Sequence, residues 1–205
     1  KQTEAIAQID AILNPNNFPS VFYTYDGNNI YWDTPVYQYL VSFISKIFRF
    51  EALQSVRILN CGLLFFTVNY SYLLFNRICN IPRFIFYLII VFNPQIIHYY
   101  SSPLVDLLPI ALCSFSIYKL SEKNYLDKFQ IFLYSLPFLL SVIVKPPIPF
   151  YYGILFLVFN VFERSISKKN FLKRLNFIFF PSIPLIMIVE KIRTNILSAN
   201  INFEG

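Results

Sequence analysis

Residues 55–75 read SVRILNCGLLFFTVNYSYLLF, with Arg57 the one charge in the run and Arg77 the next to follow it. A helix needs about 20 consecutive apolar residues to cross the hydrocarbon core of a bilayer, and this stretch supplies them. Five further apolar segments follow, at approximately 84–100, 104–120, 129–144, 148–163 and 175–192. Most are slightly shorter than a full span. Asn93-Pro94, Pro109, Pro137, Pro181 and Pro184 interrupt them, which a spanning helix tolerates where its neighbours satisfy the freed backbone groups. The expected fold is therefore all-α: a polytopic transmembrane helical bundle of six spans over residues 53–193.

Composition agrees. Of the 205 residues, 56% are hydrophobic and 14% charged, against about 25% charged in soluble domains, and the mean hydropathy is +0.52. A soluble fold of this size has too much surface for its volume to hide so much apolar area. The net charge of +6 raises the question of nucleic acid. Its placement excludes that partner, because the basic residues fall in short clusters between apolar runs, as cytoplasmic loops do. Cys61, Cys79 and Cys113 lie within or beside apolar runs without metal-ligand spacing, and read as small buried hydrophobes.

Residues 1–52 differ in character. Glu4, Asp10, Asp26, Asp33 and Glu51 alternate with Asn, Tyr and Pro. Apolar positions at Ala5, Ile6, Ile9, Ile12 and Leu13 predict a short helix over Gln2–Leu13, and Asn14-Pro15-Asn16-Asn17 stops it. Pro35 opens an amphipathic helix to about Phe48, too short to span and suited to the membrane interface. Residues 1–52 are thus expected to form an extracytoplasmic loop carrying juxtamembrane helices, and residues 194–205 to begin another. The chain starts at Lys1 with no cleavable signal sequence, and its last residues, Asn202 to Gly205, stop without a helix end or tail, so it reads as truncated at both ends.

Orientation follows from the lysines and arginines. One set of alternate loops holds Arg77 and Arg83, then Lys119, Lys123 and Lys128, then Arg164, Lys168, Lys169, Lys173 and Arg174. The opposite set holds the 98–103 turn, Lys145-Pro146-Pro147 and the tail after Arg193. The first set is expected to be cytoplasmic. The N-terminal loop, the 98–106 turn and Lys145 then share the outer face.

Asp106 follows Ser101-Ser102-Pro103-Leu104-Val105. With Ser102 capping and Pro103 in the first helical position, its carboxylate would lie in the first turn, where the helix dipole favours an anion. It reads either as a dipole-stabilising group near the membrane surface or as an active-site residue on the outer face. Asp33, before Thr34-Pro35, reads as a helix cap on local grounds. Lys145 is either a snorkelling residue at a helix C-terminus or a point charge for a lipid phosphate, and Arg57 carries the same two readings. His98 with Tyr99 and Tyr100 fits an interfacial aromatic belt, and Trp32 with the nearby tyrosines fits either that belt or a sugar-stacking surface. No phosphate-binding glycine loop, nucleophile elbow or zinc-protease pattern is present in the chain.

The order of these features resembles the GT-C class of integral-membrane glycosyltransferases, nearest to bacterial relatives of protein O-mannosyltransferases and of the aminoarabinose transferase that modifies lipid A. Lys1-Gln2-Thr3-Glu4-Ala5-Ile6-Ala7 is similar to the stretch after their first catalytic acidic residue. Asp33-Thr34-Pro35-Val36-Tyr37-Gln38-Tyr39-Leu40 is similar to their acidic- or His-x-Pro-Leu-Tyr-x-x-Leu segment. Ser55-Val56-Arg57-Ile58-Leu59 resembles the opening of their second span, Tyr99 through Asp106 their second outer loop, and Lys145-Pro146-Pro147 a later Lys-Gly-Pro or Lys-Pro-Thr turn. The likeness spans nearly the whole chain in short motifs, so order and topology carry it. Thr34 departs from the Lys of the aminoarabinose transferases, and the first catalytic carboxylate would lie before Lys1.

The resemblance implies a transferase of the bacterial inner membrane that moves a sugar from a polyprenyl-phosphate donor to a lipid, glycan or protein acceptor on the extracytoplasmic face. Asp106 and Asp33 would be the catalytic or acceptor-orienting carboxylates in this chain, Lys145 and Arg57 the contacts to the donor phosphate, and a divalent metal a possible cofactor. The heavy use of Asn, Ile, Lys, Phe and Tyr fits an AT-rich bacterial genome. The competing readings are a non-enzymatic membrane subunit, such as a transporter or flippase component, and an O-antigen polymerase- or ligase-like enzyme. Transporters often carry paired broken helices in repeated halves, and no internal repeat is visible here.

Overall fold

The computed structural model describes residues 36–93, 106–122, 126–163 and 167–201. Asp33, Trp32, His98, the helix expected over Gln2–Leu13 and the Ser102-Pro103 cap lie outside them. The described residues form seven helices and no strand: α1 Val36–Phe48, α2 Ala52–Cys79, α3 Arg83–Val91, α4 Leu107–Glu122, α5 Lys128–Val144, α6 Pro147–Glu163 and α7 Lys168–Ile201. Two of them, α2 and the Lys168–Lys191 part of α7, are long and apolar enough to cross a membrane by length and composition. The 28 residues of α2 rise about 42 Å at 1.5 Å each, against a hydrocarbon core about 30 Å thick. The apolar helices α5 and α6 have 17 residues each, about 26 Å.

Local chemistry sets most helix ends. Asn80 takes a left-handed conformation (φ 43°) and its N–H closes α2 on the Asn76 carbonyl, a C-terminal geometry that Asn accepts more readily than most residues. Asp127 and Gln130 form a reciprocal capping box on α5. Pro146 disfavours a helical conformation at Lys145, which is extended and ends α5. Pro147 then occupies the first position of α6, where its missing N–H leaves no bond unmade.

The observed bounds correct two expectations. The helix of the last apolar segment begins at Lys168 and continues to Ile201, so residues 194–201 are helical where a loop was expected. Lys168, Lys169 and Asn170 extend the helix because neither proline nor glycine breaks the chain between them and the apolar segment. Pro181 and Pro184 lie inside it. The segment expected over 84–100 is helical only through Val91 among the described residues, with Phe92 at its end.

Helix α4 is central, with α2, α5 and α6 packed around it. Its small residues Ala111, Cys113, Ser114 and Ser116 are buried, and small side chains let neighbouring backbones approach closely. Leu120, Ile131, Phe138, Phe156 and Ile178 build the larger apolar cluster from four helices. A smaller cluster of Tyr37, Val41, Val56, Leu108 and Val144 joins α1 to one end of α2, α4 and α5.

Large apolar side chains cover much of the outer surface, while several polar ones are buried beside the apolar clusters. Helix α1 buries Gln38, Ser42 and Ser45 while Phe43 (63% exposed), Ile47 and Phe48 face outward. Phe65, Phe84, Phe129, Phe180 and Met187 are each about 70% exposed, whereas Asn60, Ser55, Ser135, Ser141 and Arg174 are buried. Water-soluble monomers rarely expose contiguous apolar surface on this scale.

Candidate functional site

Helix direction alternates along the chain, so α2, α4 and α6 run one way and α5 and α7 the other, and the charged residues sort to two ends. At one end, the C-terminus of α4 presents its last carbonyls. The Arg77 guanidinium donates to the Ser121 carbonyl at 2.8 Å and lies 4.9 Å from the centre of the Tyr118 ring. The fully buried Arg174 of α7 donates to the Leu120 carbonyl. Both satisfy carbonyls that have no partner within α4 and neutralise the negative end of its dipole. Lys119 and Glu122 pair there at 2.7 Å.

The opposite end holds Asp106 and Lys145. Asp106 immediately precedes α4, and its carbonyl accepts the Ile110 N–H at 3.2 Å. Its carboxylate is therefore at the positive end of the α4 dipole, adjoining the helix rather than within its first turn. Lys145 ends α5 with its N–H on the Ser141 carbonyl at 2.9 Å, and its own carbonyl accepts the Ile148 N–H of α6. Its ammonium is at the negative end of the α5 dipole. Because α4 and α5 pack antiparallel, these two ends coincide, and the Lys145 Nζ lies 2.5 Å from the Asp106 Oδ1. The two side chains are 27% and 23% exposed, enough for a ligand to reach them from outside.

The smaller apolar cluster supports this end from within. Leu108 and Val144 are close neighbours in sequence of Asp106 and Lys145, and Val56 precedes Arg57. The Tyr37 hydroxyl donates to the Asn60 Oδ1 at 2.7 Å in a buried bond that seats α1 on α2. Burial raises the Tyr37 phenol well above its ordinary value, so it stays a donor.

Of the four residues singled out in the sequence, the structure brings Asp106 and Lys145 into direct contact. Arg57 lies near the start of α2 at the same end with an exposed side chain, and among the described residues it pairs with neither. Asp33 lies outside the described residues. Among the described residues no three His, Cys, Asp or Glu side chains come together, and the Asp106 carboxylate faces an ammonium.

Comparison with family models, with curated proteins and with solved structures finds no match to this chain. Two residues here were not legible as participants. Asn60 stands out in the sequence as an amide within an apolar run, but nothing there names Tyr37 as its donor. Arg174 reads as one of a basic loop cluster, and only the longer α7 turns it inward.

Proposed function

We propose that this chain is part of a polytopic membrane glycosyltransferase of the bacterial inner membrane, moving a sugar from a polyprenyl-phosphate donor to an acceptor on the extracytoplasmic face. The observation that supports it most is the Asp106–Lys145 contact, a carboxylate and an ammonium 2.5 Å apart at the end of the helices opposite Arg77, Lys119 and Arg174. The apolar outer surface supports lipid as the surrounding solvent, because in hydrocarbon the apolar side chains can face outward while the polar ones find partners within. The excess of basic residues at the end holding Arg77, Arg83, Lys119, Lys168, Lys169 and Arg174 supports a cytoplasmic location for that end.

The chemistry of the pair fits the proposal. An ammonium carries three donors, which suits Lys145 to binding a phosphate oxygen at the interface as well as the Asp106 carboxylate. In the transfer, the acceptor oxygen bonds to the anomeric carbon as the bond from that carbon to the phosphate oxygen breaks. The electron pair leaves on the phosphate, where Lys145, aided by Arg57, stabilises the charge. The acceptor proton passes to a carboxylate acting as general base. Asp106 and Asp33 orient the acceptor and assist that transfer, and no step here requires a metal.

Replacing Asp106 by Asn in the full-length protein tests the reading. Sugar transfer from a polyprenyl-phosphate donor in isolated membranes is expected to be abolished while the protein level is unchanged. Undiminished transfer would refute the assignment of Asp106.

A further inference from the structure

A groove of about 300 Å³ opens between α2 and α6, floored by Ile117 of α4. It lies far from Asp106, towards the end where α2, α4 and α6 terminate. Leu74, Ile117 and Phe159 form its buried base, and Phe75, Ile78 and Val158 its exposed rim. A dry cavity half this size accepts a benzene ring, so the space suits a hydrocarbon chain. Ile78 and Cys79, the last residues of α2, line it. The groove therefore reaches the end of the molecule where Arg77, Lys119 and Arg174 gather and Arg83 begins α3. The Arg83 guanidinium lies against the Tyr72 ring, 5.0 Å from its centre, on an exposed side chain.

We infer that this groove binds a membrane phospholipid with an anionic headgroup, its acyl chain between α2 and α6 and its phosphate at the basic end beside Arg83. Charge complementarity selects that occupant. Basic pockets between helices on the cytoplasmic side attract anionic headgroups, whereas a second copy of this chain would bring an equally basic end against it. The inference rests on the membrane reading of the chain and not on the chemistry at Asp106, so loss of one leaves the other standing.

Two native cysteines report on the site. Cys79 lines the groove, while Cys61 is exposed on the same helix about five turns earlier. The purified full-length protein in detergent is alkylated with N-ethylmaleimide as dioleoyl phosphatidylglycerol or dioleoyl phosphatidylcholine is added. At a phosphatidylglycerol concentration ten times that giving half protection, the Cys79 rate is expected to fall about tenfold, since only unoccupied protein reacts. Cys61 should be unchanged, and phosphatidylcholine should protect Cys79 much less. Arg83→Gln should remove the preference between the two lipids, and Leu155→Trp, which fills the groove, should remove lipid-dependent protection altogether. Equal protection by both lipids, protection of Cys61 to the same extent, or protection that follows protein concentration and dimer mass would overturn the proposal.

Discussion

The Tyr37 hydroxyl and the Asn60 side-chain oxygen meet at 2.7 Å with both residues fully buried. This bond decides where the segment after Asp33 attaches. It places a polar contact inside an otherwise apolar junction, where an unmade bond costs more than a made one contributes. Val41 and Val56 flank it in the same cluster.

Tyr37→Phe should therefore destabilise the protein by about 1–3 kcal/mol, because the Asn60 oxygen is left buried without its donor. The double change Tyr37→Phe with Asn60→Leu should recover most of that loss. Thermal unfolding in detergent measures both. If the double variant is less stable than the single, the bond is not the source of the effect.

The same residue predicts an alkaline limit. Burial raises the Tyr37 phenol above the value of 10.0 that it has when exposed. The folded state thus binds its proton more tightly than the unfolded state, and the associated stability is complete below pH 10 and lost as pH rises beyond it. Wild-type protein should lose stability more steeply above pH 10 than Tyr37→Phe, with no difference between their slopes near neutrality. Unfolding midpoints across an alkaline pH series check this.

Lys145→Met should lower stability by about 1 kcal/mol, between the values for exposed and buried pairs, since both partners are about three-quarters covered. Adding Asp106→Asn should restore part of it, because the unpaired carboxylate is then gone. A double-mutant cycle gives the coupling directly. A coupling of zero would mean that the two groups are independent in solution.

Arg174→Leu should cost about 1.5–3 kcal/mol, the worth of a hydrogen bond to a charged group, through the Leu120 carbonyl at the end of α4. Arg174→Lys should recover only part, since a lysine lacks the planar fork that reaches the carbonyl. Arg77→Leu should cost less, because its bond to Ser121 is only part-buried. The stability order of the three variants is the measurement.

Opposite ends of the helices should face opposite sides of the membrane. In a variant lacking Cys61, Cys79 and Cys113, Pro147→Cys should react with an impermeant maleimide added to intact cells. Lys128→Cys, at the other end of α5, should react only after lysis. Labelling of both from outside would remove the topology on which the transferase proposal stands.

The helical class, the positions of most helices and the two-ended sorting of charge were legible along the chain because they depend on local properties. Apolar runs fix where helices form, and charged and polar residues mark the ends of those runs. The helix over Val36–Phe48 was readable from Pro35 and its amphipathic pattern. Asp106 and Lys145 were each recognisable as charges at the edges of apolar segments, and the alternation of the helices placed them at one end.

Contact between them was a different matter. That Lys145 neutralises Asp106, that Tyr37 finds Asn60, and that Arg174 points inward to α4 are all relations between residues far apart in the chain. They follow from which helices pack against α4 and at what rotation, and many pairings would satisfy the same hydrophobic pattern. Local sequence determines where a helix begins and which surface favours lipid; only the packed structure decides which polar groups, excluded from water, become one another's partners.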